Sequence, residues 1–185
     1  MKRRIFRIDV VLIIIVLSIL IGAIFDLIAK KIDKGIYPDD YSEIVEKYSL
    51  EYSVPEDVIY ATIKVESDFD KNACSDAGAV GLMQMLPSTY EWLSGRLGEK
   101  ANESQLYDPD TSIKYGTYYL QYLYARFGSW ELASIAYNWG EGNLSKWLSE
   151  NSYQEGDYEK IPVGETREYV KRINKARKMY FELYN

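Results

Sequence analysis

The sequence predicts a predominantly α-helical domain preceded by one N-terminal transmembrane helix. Three observations carry this reading. Residues 10–25 (VVLIIIVLSILIGAIF) run without a charge, apolar residues recur at helical spacing from Tyr41 onward, and no segment alternates apolar and polar residues as a half-buried strand would. A length of 185 residues suits one ordinary domain plus a small extra element.

Residues 1–29 read as a cytoplasmic tip and a membrane anchor. With Ile8 and residues 27–29 at its flanks, the apolar run reaches the roughly 17–25 residues that cross a bilayer core. Asp9 and Asp26 then fall near the two interfaces, where a carboxylate can meet water. Lys2, Arg3, Arg4 and Arg7 favour retention of that end in the cytoplasm, although Lys30, Lys31 and Lys34 weaken the asymmetry. A cleaved signal peptide is the competing reading. Against it, the run exceeds the usual apolar length of about 7–15 residues and no small-x-small site follows cleanly. Either way everything after residue 34 is exported, so the expectation is a single-pass cell-membrane protein with its domain on the extracytoplasmic side.

Residues 30–40 (KKIDKGIYPDD) are polar, contain Gly35 and Pro38, and read as a linker; the domain proper is 41–185. A first helix is predicted over 40–49, with Tyr41, Ile44, Val45 and Tyr48 on one face. Ser53-Val54-Pro55-Glu56 has the form of a capping box with Pro in the first turn, opening a helix over about 54–67. Residues 68–81, rich in Asn, Asp, Ser and Gly, are predicted to be mostly loop. Residues 82–97 make one helix or two, with Pro87-Ser88 a place to restart. Asp108-Pro109-Asp110-Thr111 caps a long helix whose stripe is Ile113, Gly116, Leu120, Leu123 and Phe127, Gly116 marking a close helix crossing. Shorter helices are predicted over 130–138 and 144–148, then a polar loop over 150–164. A final helix over 166–183 turns Tyr169, Val170, Ile173, Ala176 and Tyr180 inward.

Composition excludes several chemistries. There is no histidine and only one cysteine, Cys74, so neither a Ser-His-Asp triad nor an imidazole or thiolate zinc site can be built from this chain. Acid–base work falls to carboxylates, Lys or Tyr. The formal charge of −6 is unevenly spread: residues 1–34 hold seven basic and three acidic groups, which leaves the remainder at −10. Such a domain is a poor match for a phosphate backbone, so nucleic acid is not an expected partner. No metal or nucleotide cofactor is called for.

Glu66 is the most unusual carboxylate. It follows Ile59 by seven residues and Ile63 by three, continuing the apolar stripe of its own helix at the C-terminal end. Partial burial and the negative end of the helix dipole both disfavour the ionised form. The expected result is a raised pKa, as a general acid near neutral pH requires. On this pattern alone, a helix-end Glu in a salt bridge competes.

Further motifs follow in order: "ES-x-F" at 66–69, Ser75 with Gly78, and "GLMQ" at 81–84 followed by Pro87-x-Thr89. Then come Asp108-Pro109 with Ile113 and Gly116, "AYNWG" at 136–140, and "ETREYV" at 165–170. Together they resemble the catalytic domain of the soluble lytic transglycosylase family, within the goose-type lysozyme-like group, over residues 41–181. The resemblance implies a lysozyme-like single domain. It makes Glu66 the single catalytic acid/base and Ser75 a hydrogen-bonding partner near that carboxyl and the sugar's acetamido group. Gln84 is implied as a substrate-contacting amide, Tyr137 and Asn138 as cleft residues, and Tyr169 as a tyrosine over the reacting centre. Trp139 stands where many relatives carry a small residue, a departure that reshapes a subsite. Met83 reads as core and Cys74 as incidental.

The implied partner is the glycan strand of peptidoglycan, cut between N-acetylmuramic acid and N-acetylglucosamine, and a monomer is expected. Glu66 protonates the bridging oxygen, then deprotonates the sugar's 6-hydroxyl, leaving a 1,6-anhydromuramoyl end. Two alternatives stay open. A hydrolytic muramidase would want a second carboxylate to position water, for which Asp68, Asp70, Asp76 and Glu141 are candidates; a membrane-tethered, non-catalytic glycan binder would use the cleft only for docking. Arg167, Lys171, Arg172, Lys175, Arg177 and Lys178 on the last helix read as a solvated face, with anionic wall polymer or lipid as the other partner to consider.

Overall fold

The computed structural model describes residues 2–184, with side chains from residue 9 onward. The chain divides into two units, Met1–Pro38 and Asp39–Asn185.

The first unit is a single helix, α1 (Lys2–Ile36). Its stretch Asp9–Ile36 is long and apolar enough to cross a membrane, since 28 residues rise about 42 Å against a hydrocarbon core of about 30 Å. The apolar side chains from Val10 to Ile36 are exposed. The expected linker over 30–40 needs correcting, because the helix continues to Ile36 and only residues 37–41 lie outside helices. Lys30, Lys31 and Lys34 are good helix formers, and Lys30 pairs with Asp26 one turn back. Polarity there marks contact with water, not the end of the helix. The basic cluster Lys2, Arg3, Arg4 and Arg7 lies outside the residues whose side chains are described.

The second unit is built from helices joined by turns and loops. Its elements are α2 (Ser42–Tyr52), α3 (Glu56–Glu66), α4 (Pro87–Leu97), a 3₁₀ turn (Glu103–Tyr107), α5 (Pro109–Phe127), α6 (Trp130–Trp139), α7 (Glu141–Glu150), a second 3₁₀ turn (Asp157–Lys160) and α8 (Gly164–Tyr184). Among the described residues there are only isolated β-bridges. The centre is α3, buried at every position from Val58 to Ile63 and packed against α8 and α2. A helix apolar on all sides has to be surrounded. The capping box expected at its start does not form. Ser53 instead adopts the left-handed conformation (φ 55°) that ends α2, and Pro55 becomes the N-cap. With three residues between the helices, Ser53 is consumed by the chain reversal.

Long helix α5 begins as predicted: the Asp108 carboxylate accepts from the Thr111 N–H at 3.0 Å, with Pro109 in the first turn. Its stripe Ile113, Gly116, Leu120 and Leu123 is buried. The close approach at Gly116 comes from Met83 rather than from a helix: a Cβ there would lie 2.2 Å from the Met83 sulfur. On α8, Tyr169, Val170, Ile173, Ala176 and Tyr180 are buried as predicted. The basic face of α8 is largely ion-paired, Lys171 with Glu159 and Glu168 and Arg177 with Asp57.

Candidate active site

Glu66 closes α3, where the helix emerges from the core. The backbone then turns through two consecutive left-handed residues, Asp68 (φ 51°) and Phe69 (φ 66°), a conformation that non-glycine residues seldom adopt. Ser67 fixes this exit by donating its hydroxyl to the Leu82 carbonyl at 2.7 Å.

Leu82 belongs to a tight turn over 80–85; of the helix or two expected over 82–97, the one restarting at Pro87 is α4, and the part over 82–86 needs correction. Val80 and Met85 exchange both backbone hydrogen bonds at 3.1 Å, with Gly81 (φ 79°) and Gln84 (φ 45°) left-handed inside. Two left-handed residues break a helix. Gly81 is sterically fixed as well, because a Cβ there would lie 2.1 Å from the Leu106 carbonyl oxygen. Three helices clamp the turn: Ser67 at the end of α3 on Leu82, Tyr137 of α6 on the Met83 carbonyl (2.7 Å), and Ser112 of α5 accepting from the Met83 N–H (3.2 Å).

A cleft of about 410 Å³ opens between this turn and the end of α6. It brings together Glu66, Ser75, Gln84, Tyr137 and Asn138, five of the six site residues predicted, and adds Thr89, Tyr119 and Trp139. Ser75 is exposed in the loop; its hydroxyl oxygen accepts from the Ala79 N–H at 3.0 Å, which leaves its own proton for a ligand. The Gln84 amide donates to the carbonyls of Ala73 (3.1 Å) and Gly81 (3.0 Å), so its oxygen is what it offers the cleft. Asn138 is the complement: its oxygen accepts from the Thr166 hydroxyl at 2.8 Å, turning its donor end to the cleft. The Tyr137 hydroxyl is committed to Met83, so only its ring is available.

Tyr169, the sixth, is not among the residues that line the cleft. It is 2% exposed, and its hydroxyl donates to Glu66 Oε1 at 2.8 Å. The resemblance implies a tyrosine over the reacting centre, and the hydrogen bond ties Tyr169 to the carboxyl at that centre. Arg172, one turn on, lies 5.9 Å from the Tyr169 ring centre.

Burial pushes the Glu66 carboxyl up to about 7, against the opposing pulls of the Tyr169 hydrogen bond and the Arg172 charge. Burial beside Glu66 also raises the hydroxyls of Tyr137 and Tyr169 well above the usual tyrosine range. Among the described residues Glu66 is the one acidic side chain lining the cleft. Of the four candidates for a second carboxylate, Asp68 pairs with Lys64, Asp70 caps the Asn72 N–H, Glu141 binds Tyr122 and Arg126, and Asp76 is exposed and does not line the cleft, although its neighbours Ser75 and Ala77 do. Among the described residues, no group of three or more Cys, Asp or Glu side chains comes together that could hold a metal ion.

In the sequence Ser67 figures only as the serine of the motif at 66–69, and Ser112 and Tyr119 belong to no motif. Tyr119 carried a signal, standing one turn from Tyr122 on the flank of the α5 stripe. Ser112 carried none, since a hydroxyl that meets a backbone N–H 29 residues away has no local pattern.

The chain is similar to known proteins. The family model "Transglycosylase SLT domain" matches residues 43–160. The soluble lytic murein transglycosylase of Escherichia coli (strain K12) is 35% identical over 144 residues, 74% of this chain and 22% of that protein. The membrane-bound lytic murein transglycosylase C of Serratia proteamaculans (strain 568) is 32% identical over 190 residues, covering 89% of this chain and 52% of that protein. The crystal structure of the 70 kDa soluble lytic transglycosylase from Escherichia coli superposes with a TM-score of 0.77 at 31% identity, over 81% of this chain and 25% of that one. This chain thus spans about a fifth to a half of the length of these relatives. The lysozyme-like fold expected from the motifs is the one found, and the chain belongs to the transglycosylase SLT domain family.

Proposed function

We propose that the domain is a peptidoglycan lytic transglycosylase in which Glu66 acts first as acid and then as base. The observation that carries this is a single carboxyl in the cleft, raised to about 7 by burial. Glycosidases that activate water or form a glycosyl-enzyme use two carboxyl groups at a set separation. One carboxyl poised near neutral pH suits a reaction in which the same group gives a proton and takes one back.

In the proposed reaction, protonated Glu66 donates to the oxygen bridging N-acetylmuramic acid and N-acetylglucosamine, and the C1–O bond breaks. The muramic acetamido oxygen stabilises the charge left on C1, with the Ser75 hydroxyl as a donor to that group. Ionised Glu66 then removes the proton from the same sugar's 6-hydroxyl. Its oxygen bonds to C1, giving a 1,6-anhydro end and a free 4-hydroxyl on the departing strand. Tyr169 holds the carboxylate through the ionised stage. Gln84 supplies an acceptor and Asn138 a donor for the sugar substituents.

The anchor reading rests on the length and exposed apolar surface of α1. In that reading α1 spans the cell membrane once, with the domain on the extracytoplasmic side. Carbonate-resistant membrane association, lost on deleting residues 1–29, is the outcome it expects.

Mass spectrometry of digested peptidoglycan tests the chemistry. Anhydro-ended fragments are expected from the native protein, and Glu66→Gln should lower their release by about 10³-fold. Reducing ends as the main product, one water heavier, would overturn the assignment.

A further inference from the structure

Helices α4 and α5 each carry a row of side chains out of the cleft. Thr89, Trp92 and Arg96 stand at i, i+3 and i+7 on α4, and Tyr119, Tyr122 and Arg126 repeat that spacing on α5, so each row keeps to one helix face. Both rows begin in the cleft, at Thr89 and Tyr119, and both end on an arginine.

The rows interlock. The Trp92 indole meets Tyr122 edge-on at 5.0 Å and Tyr119 at 6.3 Å, while the two tyrosine rings lie parallel within 12°. The Arg96 guanidinium sits 5.3 Å from the Trp92 ring centre and 5.2 Å from that of Tyr122. Tyr122 is held from the other side, its hydroxyl donating to Glu141 at 2.9 Å, and Glu141 pairs with Arg126. Trp92 nonetheless leaves 39% of its surface in water, and Arg96 is exposed, its Nε donating to the Tyr118 hydroxyl at 3.4 Å and its guanidinium in no ion pair among the described residues. An exposed indole joined to a cleft, rigidly held and rimmed by a guanidinium engaged only through its Nε, is the composition of a ligand site rather than of core packing.

We propose that Trp92, Tyr122 and Arg96 form a further saccharide subsite, which extends the Glu66 cleft beyond Tyr119. The apolar face of a pyranose ring lies against the free side of the indole, and Arg96 donates to the ring's substituents. Three residues of helix separate Thr89 from Trp92, a rise of about 4.5 Å, so the subsite receives the next sugar along the strand. This rests on reading the cleft as a glycan site. It adds that affinity depends on strand length at this end.

The test compares kcat/KM on peptide-free glycan strands with kcat/KM on a tetrasaccharide of the same repeat, for the native protein, Trp92→Ala and Trp92→Phe. The long-to-short ratio should fall by roughly three- to tenfold in Trp92→Ala, the range expected of one aromatic contact, and Trp92→Phe should retain most of it. An unchanged ratio in Trp92→Ala, or a ratio that Phe fails to restore while thermal unfolding matches the native protein, overturns the subsite. Binding of long strands to Glu66→Gln, with and without Trp92→Ala, is measured in parallel. A Trp92-dependent loss of affinity there supports the subsite even if no anhydro product forms, and an equal affinity counts against it. Failure of the subsite is thereby separated from failure of the chemistry.

Discussion

Glu66 and Glu131 are both carboxylates taken largely out of water, at opposite kinds of helix end. Glu131 lies in the first turn of α6, where the helix dipole favours negative charge. It is 4% exposed and fully engaged: Oε1 accepts from the Tyr153 hydroxyl and from the Gly156 N–H at 2.6 Å, and Oε2 from the Asn174 amide at 2.9 Å. Glu66 is the last residue of α3, where the dipole opposes its charge, and one neutral hydroxyl holds it. The difference teaches what separates a staple from a reagent. Burial alone does not make a carboxyl reactive; burial with too few donors does. Glu131 uses its donors to tie the loop 151–160 and α8 to α6, and α8 carries Tyr169 to Glu66.

The comparison can be broken in several ways. The largest separation is in activity: Glu66→Gln should lose about 10³-fold, while Glu131→Gln at 25 °C should retain most anhydro-product release. Equal losses would mean that Glu66 acts structurally. Next is stability. Glu131→Ala strands three donors in a buried site and should lower the unfolding free energy by about 3 kcal/mol, read by urea denaturation; a change under about 1 kcal/mol would show the loop held elsewhere.

Glu66→Gln should do the reverse. The Glu66 carboxyl binds its proton more tightly folded than unfolded, so its stabilising contribution is full below about pH 4.5 and is lost as pH rises through about 7. The amide removes that penalty, so Glu66→Gln should be more stable than the native protein by about 2 kcal/mol at pH 8 and level with it at pH 4. That figure is discounted for the partial exposure of Glu66. A pH-independent difference would remove the case for burial.

The smallest effect concerns Tyr169. The native rate should fall as pH rises through about 7, when the protonated acid is lost. Tyr169→Phe deletes the donor that favours the carboxylate, so that limb should move upward by about one pH unit. A downward or absent shift in kcat/KM against pH would count against the hydrogen bond seen here.

Helix identities were largely legible because each carries its own apolar period and local stop signals. The Asp108 cap and the inward face of α8 are examples, readable from residues three or four apart. The failures lay where one segment could serve two purposes. Ser53 fits a capping box by pattern, yet the reversal after α2 claims it. Residues 82–86 have helical composition, but Gly81 presses against Leu106 and Met83 against Gly116, and these contacts dictate a turn.

By itself the sequence determined that this chain can build no imidazole or thiolate zinc site, that the domain is helical, and that Glu66 ends an apolar stripe. Composition and periodicity are properties of neighbouring residues, so they survive without a fold. Only the tertiary structure decided that Tyr169, 103 positions away, bonds the Glu66 carboxyl. It also decided that Asp68, Asp70 and Glu141 are engaged elsewhere, and that Trp92 and Tyr119 meet. Those facts depend on how distant helices pack, and packing alone sets how much water and how many donors a carboxyl keeps.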